Sequence, residues 1–271
     1  MNPATRNTSR TGGFKETVTL SAEGLTVRAG PKQICRDFSL DIRSGEHWGI
    51  LGGNGVGKTS LLHTLAGLRT PVSGRIKVDE VDLQDYKRLH LARKLGVLFQ
   101  DSQDTFPATV KETVLTGRYP YQTFWPPGQR EDIALADAAL AQLNLAQMQD
   151  RQVDTLSGGE RRRLAIATLF LQDPGLWLLD EPTNHLDFHH QIQVLELIGQ
   201  RVRERNGALL MVLHDVNLIS RYCSHAILMP GARQMLCGEV STVINKANLE
   251  DLYRHPVCEL TGGGRKYYFP E

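Results

Sequence analysis

Short apolar runs alternate with helical patterns along the chain. EHWGILG, LGVLF, LWLLDE, ALLMVLHD and HAILMP are mostly apolar, which is typical of strands covered on both faces. Nearer the N-terminus, ETVTLSAEGLTV and FSLDI alternate apolar and polar residues, as half-buried strands do. Residues 188–204 place Ile192, Leu195, Ile198 and Val202 on one face of a helix. The pattern predicts an α/β fold with a mainly parallel core sheet and an antiparallel N-terminal part.

The strand signal fades between about residues 102 and 172, where helical patterns such as DIALADAALAQLNLA dominate. We interpret this stretch as a helical insertion. We therefore expect one domain over residues 16–271, with a short C-terminal extension at about 241–271. Residues 1–15 are polar and are expected to form a mobile tail.

Composition narrows the class of protein. The chain has 271 residues, 41% of them hydrophobic, and a formal net charge of +1, which suits a soluble globular protein. The balanced charge gives no whole-chain reason to expect nucleic acid or an anionic membrane as a partner. The four cysteines form no CxxC pair and suit reduced thiols, and we find neither a secretory signal nor an apolar run long enough to span a bilayer.

A glycine-rich segment follows the apolar run that contains WGIL. Gly52, Gly57, Lys58 and Thr59 fit the pattern G-x-x-x-x-G-K-[ST], and the helical pattern TSLLHTLAGL follows. Such a loop points backbone N–H groups at phosphates, the lysine reaches the β- and γ-phosphates, and the threonine hydroxyl ligates Mg²⁺. The alternative is a glycine-rich turn with a surface lysine. The predicted nucleotide-binding residues are Gly52, Gly53, Asn54, Gly55, Val56, Gly57, Lys58, Thr59 and Ser60.

The strand pattern LWLLDEPT ends in two adjacent carboxylates. Beside a phosphate loop, Asp180 is placed to hold the Mg²⁺ shell, and Glu181 is placed to polarise an attacking water as a general base. The alternative is a pair of solvated acids at the end of a strand.

A third segment reads TLSGGERRRLAIA. Ser157 and Glu160 form the S-x-x-E capping box that begins a helix. Helix capping alone would explain the presence of both residues. Gly158 and Gly159, however, leave the helix N-terminus bare, which makes a second anion site. The phosphate loop already provides a site for one nucleotide. The second anion site therefore suggests that this segment serves a neighbouring subunit.

Together these segments resemble the ABC-type ATPases, which are P-loop NTPases. GGNGVGKT, LSGGE and LLDEPTNHLD, with Gln100 after LGVLF and His214 after LLMVL, are similar to the Walker A, signature, Walker B with D-loop, Q-loop and H-loop motifs. The ordered match runs from about residue 17 to 240. The resemblance implies ATP and Mg²⁺ as cofactors. It also implies a head-to-tail homodimer that holds two ATP molecules between phosphate loops and signatures.

The resemblance also implies roles for individual residues. The signature, residues 157–160, would contact the γ-phosphate of the partner's ATP, and His214 would orient that phosphate or the attacking water. Gln100 would link Mg²⁺ to the helical insertion, and Asp187 would couple the two sites. The adenine platform departs from the family pattern, because Arg28 and Ala29 stand where a tyrosine is common. Arg28 is a candidate to stack on the base through its guanidinium plane.

The segments TFPATVKETVLTGRYPY and LDFHHQ resemble the ATPase subunits of bacterial importers for iron-siderophores, haem and cobalamin. That resemblance implies a separate membrane permease, an indirect periplasmic binding protein, and a peripheral location on the cytoplasmic face of the inner membrane, without a nucleic-acid partner. A loop carrying Tyr119, Tyr121, Phe124 and Trp125 is a candidate permease dock, or an ordinary loop that buries its own rings. The alternative function is a soluble ABC ATPase that acts on ribosomes or nucleic acid.

Overall fold

The computed structural model describes residues 19–100, 107–122, 130–231 and 234–271. The predicted tail at residues 1–15 lies outside these ranges, and so do Phe124 and Trp125. The strands are β1 (Leu20–Ala29), β2 (Lys32–Ile42), β3 (His47–Gly52), β4 (Ser73–Val78), β5 (Val81–Asp82), β6 (Leu95–Leu98), β7 (Leu176–Asp180), β8 (Ala208–Val212), β9 (His225–Met229), β10 (Leu236–Glu239), β11 (Val257–Gly262) and β12 (Arg265–Pro270). The α-helices are α1 (Lys58–Leu65), α2 (Arg88–Lys94), α3 (Val110–Leu115), α4 (Arg130–Gln142), α5 (Gly158–Gln172), α6 (Phe188–Glu204), α7 (Val216–Tyr222), α8 (Val240–Val243) and α9 (Lys246–Tyr253).

The central sheet has the strand order β10-β9-β3-β8-β7-β6. Of its five strand pairings, four are parallel and one, between β9 and the edge strand β10, is antiparallel. All five residues of β7 are buried, with Leu176 and Leu178 packed into one core and Trp177 and Leu179 into the other. The mostly apolar runs therefore mark strands covered on both faces, and the predicted α/β fold with a parallel core sheet is confirmed.

One face of the central sheet is covered by α1 and a four-stranded antiparallel sheet of order β2-β1-β4-β5. Leu20 and Leu25 of β1 and Leu61 of α1 are completely buried in this core. Each such side chain stabilises the fold by about 1.5–3 kcal/mol relative to an exposed one. The predicted antiparallel N-terminal part is therefore confirmed, and it supports the loop that joins β3 to α1.

The opposite face is covered mainly by α5, α6 and α7. Phe170 of α5 meets Trp177 of β7 edge to face, with ring centroids 5.7 Å apart. Along α6, Leu195, Ile198 and Val202 are buried, as the helical period predicts, whereas Ile192 is half-buried.

The described part of residues 102–172 is helical apart from one bridge between Thr109 and Gln152. Val110 and Val114 of α3 and Leu140 of α4 pack into the same core as α5. The division of the chain into a core and a helical insertion remains a prediction.

The C-terminal segment folds against α7. Strands β11 and β12 form an antiparallel hairpin, and the Tyr268 hydroxyl donates to the Ile244 carbonyl at 3.0 Å. The Asn217 side chain pairs with the backbone of Tyr268 through bonds of 3.0 and 2.9 Å, much as a neighbouring strand would. Asn217 thereby ties the hairpin to the beginning of α7.

The carboxyl ends of β3, β6, β7 and β8 lie at one edge of the sheet. In a parallel sheet this edge collects the loops that bind ligands. Gly52, Gln100, Asp180 and His214 all stand at or just beyond these strand ends. Within the described ranges, no helix is both long and apolar enough to cross a bilayer.

Candidate nucleotide site

The loop between β3 and α1 is shaped by its glycines. Gly55 and Gly57 have φ angles of 68° and 114°, which side-chain-bearing residues rarely adopt. A Cβ atom at Gly57 would come within 2.3 Å of the Ile34 side chain. Gly57 is also the N-cap residue of α1 and offers no capping side chain. The first N–H groups of α1 therefore remain available to an anion.

Lys58 begins α1 and is only 6% exposed. Its ammonium donates to the carbonyls of Gly52 at 2.9 Å and Gly53 at 3.0 Å. Burial lowers the pKa of Lys58, and the carboxylates of Glu181 and Asp180 oppose that effect. The side chain therefore lies across its own loop, near two acids, rather than extending into solvent.

Asp180 ends β7 and is completely buried. Burial raises the pKa of Asp180, and the neighbouring Thr59 hydroxyl acts in the opposite direction. In the described part of the chain neither carboxylate oxygen makes a hydrogen bond of ordinary geometry. Because a buried carboxylate without partners is costly, this one is suited to bind a cation. The residues Thr59 and Asp180 therefore fit a Mg²⁺ ion.

Glu181 follows with a φ of 49° and is 8% exposed. His214 Nε2 lies 2.6 Å from Glu181 Oε1. The side-chain amides of Gln100 and Asn184 each donate to Glu181 Oε2 at 3.2 Å. The structure thus brings together three residues predicted from separate motifs, namely Glu181, His214 and Gln100, and adds Asn184, which was not predicted.

Arg162 connects the signature helix α5 to this edge of the sheet. Its guanidinium donates to the carbonyl oxygens of Phe99 and Gln100 on one side and of Asp180 and Glu181 on the other. Arg162 is 6% exposed. The residue was not predicted as a site residue, although it falls on the buried stripe of α5 with Ile166 and Phe170.

The signature segment has the predicted capping box. The Ser157 hydroxyl accepts from Glu160 N at 3.3 Å, and the Glu160 carboxylate accepts from Ser157 N at 2.7 Å. The bond from the Ser157 backbone lowers the pKa of Glu160. Gly158 and Gly159 form the first turn of α5, as the sequence predicts.

A shallow cavity of about 430 Å³ lies in front of the signature segment, and it is also lined by His185, Leu186 and Asp187. None of its lining residues belongs to the phosphate loop. Asp187 caps α6 by accepting from His190 N at 2.9 Å, and this bond lowers the pKa of Asp187. The signature and residues 185–187 therefore form a surface distinct from the phosphate loop.

Arg28 lies near the end of β1, next to the turn that leads to β2. Its side chain is exposed and donates to the Pro31 carbonyl at 3.2 Å. Lys32, from the same turn, donates to Gly55 O at 2.5 Å, which places the turn beside the phosphate loop. The stacking of Arg28 on adenine remains a prediction.

The two tyrosines in the described part of the aromatic loop differ in their exposure to solvent. Tyr119 is 58% exposed. Tyr121 is half-buried, with its hydroxyl donating to the Gln172 carbonyl at 2.9 Å and the Arg118 guanidinium 4.3 Å from its ring centroid. Of the two tyrosines, Tyr119 is therefore the one that offers its ring to a partner.

Comparison with known proteins agrees with this geometry. The family described as ABC transporter matches residues 35–184, more than half of the chain. The chain belongs to the ABC transporter family. It is therefore an ATP-binding subunit with ATPase activity, as the motifs predict.

Relatives of this ABC subunit include two named import or transport ATPases. The ferric enterobactin transport ATP-binding protein FepC of Escherichia coli (strain K12) is 36% identical over 234 residues, which cover 86% of each chain. The hemin import ATP-binding protein HmuV of Pseudomonas entomophila (strain L48) is 36% identical over 242 residues, covering 86% of this chain and 92% of the relative. A solved structure assigned to the metal-chelate type of ABC transporter, in an inward-facing conformation, matches with a TM-score of 0.79 at 26% identity, covering 94% of this chain and 98% of that chain.

Proposed function

We propose that this ABC subunit is the ATP-hydrolysing motor of a bacterial importer for a metal chelate: an iron-siderophore, haem or cobalamin. One observation carries the proposal. Lys58, Asp180 and Glu181 are buried together at the carboxyl edge of the sheet, where the two acids act electrostatically on the lysine, and this arrangement supports nucleotide hydrolysis. The cargo class rests on the relatives, whose names specify ferric enterobactin and hemin.

ATP binding is assigned to the loop of residues 52–60. The N–H groups at the start of α1 point at the phosphates, and the Lys58 ammonium leaves its carbonyl partners for phosphate oxygens. Thr59 and Asp180 would hold Mg²⁺, and Gln100, from the loop after β6, would be a further ligand. When bound, the ion neutralises charge on the β- and γ-phosphates.

Hydrolysis is assigned to Glu181 and its neighbours. Glu181 accepts a proton from water as the water oxygen bonds to the γ-phosphorus, while the bond to the bridging β–γ oxygen breaks and ADP leaves. His214 and Gln100 lie within hydrogen-bond distance of Glu181, so they hold its carboxylate towards the attacking water. Lys58 balances the negative charge that builds on the phosphates.

The signature is assigned to the ATP of a second copy of this chain. The N-terminus of α5, which begins with Gly158 and Gly159, lies at a cavity that contains no phosphate-loop residue, which supports a head-to-tail dimer. Asp187 lines the same cavity and is placed to couple the two sites. ATP closes the dimer, and hydrolysis allows it to open.

We place the dimer on the cytoplasmic face of the inner membrane, bound to separate permease subunits that receive cargo from a periplasmic binding protein. The exposed Tyr119 and the loop that carries Gln100 are the proposed contacts with the permease. Relatives named for import and transport disfavour the alternative of an ATPase acting on ribosomes or nucleic acid.

The experiment is a pull-down with tagged Glu181→Gln from detergent-solubilised membranes, in the presence of ATP and Mg²⁺. Mass spectrometry identifies the proteins that co-purify, with Lys58→Ala, whose ATP binding is weakened, as the matched control. Recovery of a polytopic membrane protein with Glu181→Gln supports the motor. Recovery of ribosomal proteins alone would refute it.

A further inference from the structure

One oxygen of Glu181 receives two amide donors from different loops. Gln100 reaches Oε2 from the loop after β6, and Asn184 reaches it from the loop after β7, each at 3.2 Å. The other oxygen, Oε1, contacts His214 at 2.6 Å. Gln100 and His214 already have roles in the proposed mechanism, whereas Asn184 has none.

Asn184 is itself held in place. Its backbone N–H donates to the Glu181 carbonyl at 3.0 Å, which closes a turn. Its side-chain oxygen accepts from His185 N at 3.1 Å, so the amide NH₂ group is directed to the carboxylate by a bond at the other end of the same amide. The half-buried side chain is therefore oriented by contacts within its own turn.

Glu181 needs such support because it lies just beyond the end of β7. Its φ of 49° removes it from the regular geometry of a strand, so its carboxylate direction depends on side-chain partners. We propose that Asn184 is a positioning residue that, together with Gln100, fixes Oε2 of Glu181 and so sets the direction in which the carboxylate accepts the proton from water. This inference deepens the proposed function and rests on it.

The position of Asn184 also connects Glu181 to the signature cavity. Asn184 precedes His185, Leu186 and Asp187, which line that cavity beside the signature residues. A shift of this loop when a second copy docks would move the Asn184 amide relative to Oε2. This geometry makes the rate of hydrolysis, rather than the affinity for ATP, depend on the position of the loop that carries Asn184.

The test is steady-state ATP hydrolysis by the full chain with Asn184→Ala. Because the contact aligns the base and does not touch ATP, kcat falls about tenfold and KM stays within about twofold. Asn184→Asp keeps the shape but replaces the donor with a second carboxylate, so its kcat is at least as low as that of Asn184→Ala. Wild-type kcat in either variant would overturn the inference.

Gln191→Ala is the matched control. Gln191 donates its side-chain amide to the Leu186 carbonyl at 3.0 Å, so it braces the same loop, but it is not among the described donors to Glu181. Its kcat is expected to stay within about twofold of wild type. An equal loss in Gln191→Ala and Asn184→Ala would assign the effect to general bracing of the loop and overturn the positioning role.

A double-mutant cycle with Gln100→Ala tests whether the two donors act on one oxygen. Sharing Oε2 makes their effects non-additive, so the double variant differs from the product of the single losses by at least about threefold. Losses that multiply would show independent roles and contradict the inference.

Wild type and Glu181→Gln are assayed in the same series. An inactive wild type or an active Glu181→Gln would refute the proposed hydrolytic function. If these two behave as proposed and Asn184→Ala is normal, only the inference about Asn184 fails.

Discussion

The Lys58 ammonium depends on oxygen partners, because a buried cation without them would cost several kcal/mol. The carbonyls of Gly52 and Gly53 supply those oxygens in the structure described above. Phosphate oxygens in the same place would add a negative charge, which strengthens each bond. In the proposed mechanism the lysine would therefore bind the nucleotide by exchanging neutral partners for charged ones.

Lys58→Ala is expected to weaken ATP binding about 10- to 100-fold, since a hydrogen bond to a charged group is worth about 1.5–3 kcal/mol. Hydrolysis is expected to fall to background. Titration with a fluorescent ATP analogue and a phosphate-release assay measure the two effects. Lys77→Ala, which removes an ion pair with Glu23 on the antiparallel sheet, is the control and should behave as wild type. Unchanged ATPase activity in Lys58→Ala would contradict the assignment of the phosphate loop.

The sequence predicts the residues that act on ATP better than it predicts the residues that support them. Lys58 and Glu181 are found from local patterns because phosphate binding requires particular residue types at fixed spacings. The contact between Asn184 and Glu181 cannot be found in this way, since it depends on the positive φ of Glu181 and on the turn that follows.

At the scale of elements, the signature helix α5 and the edge of the sheet are connected through one guanidinium. Arg161, Arg162 and Arg163 are consecutive and alike in the sequence, but only Arg162 is fully buried. Its bonds to four carbonyl oxygens hold the chain after β6 and the chain after β7 against α5. The helical period of α5 places Arg162, but not Arg161 or Arg163, on the buried face of the helix, and this distinguishes the three arginines in the sequence.

Arg162→Met should lower the free energy of unfolding by about 2–4 kcal/mol, because it leaves buried carbonyl groups without their donor. Arg163→Met is the matched control, since within the described residues Arg163 donates one bond, to the Leu143 carbonyl, and a loss of about 1 kcal/mol is expected. Urea denaturation followed by circular dichroism gives both values. Equal losses in the two variants would show that the four carbonyl bonds contribute little.

The strands and helices themselves are largely predictable from the sequence. The apolar runs identify β7 and β8 because both faces of these strands are buried, so burial alone dictates their composition. Helix α2 is harder to predict, since none of its residues is fully buried and its pattern carries no apolar stripe. The C-terminal hairpin was expected only as an extension, because the Asn217–Tyr268 pairing that holds it joins distant parts of the chain.

At the scale of the whole molecule, the phosphate loop and the signature belong to different surfaces. The signature cavity is lined by residues 157–160 and 185–187, with Arg163 and His190, and contains no residue of the loop. A complete site therefore requires two copies of the chain in the proposed dimer. Dimerisation should then depend on ATP and on an unobstructed signature.

Ser157→Arg in the Glu181→Gln background should still bind ATP as a monomer, because the phosphate loop is untouched. The arginine side chain fills the cavity before the helix end, so the ATP-dependent dimer that we expect with Glu181→Gln alone should be lost. Size-exclusion chromatography with light scattering distinguishes the two species. Ser241→Arg, an exposed serine on α8, serves as the control for added charge. Dimer formation by Ser157→Arg at wild-type levels would count against the two-copy site.

The placement of β7 has a consequence for the order in which the parts of the site would unfold. This strand is buried along its whole length and is hydrogen-bonded on both sides, to β6 and β8. Its amide protons should exchange with deuterium only through the largest openings of the molecule, whereas those of the loops exchange through small ones. Asp180 and Glu181 are thus attached to the part of the protein whose amide protons exchange most slowly, while Gln100 and Asn184 belong to loops whose amide protons exchange faster. On warming, the loops that carry Gln100 and Asn184 would unfold first. Hydrolysis would therefore be lost long before Asp180 and Glu181 changed position.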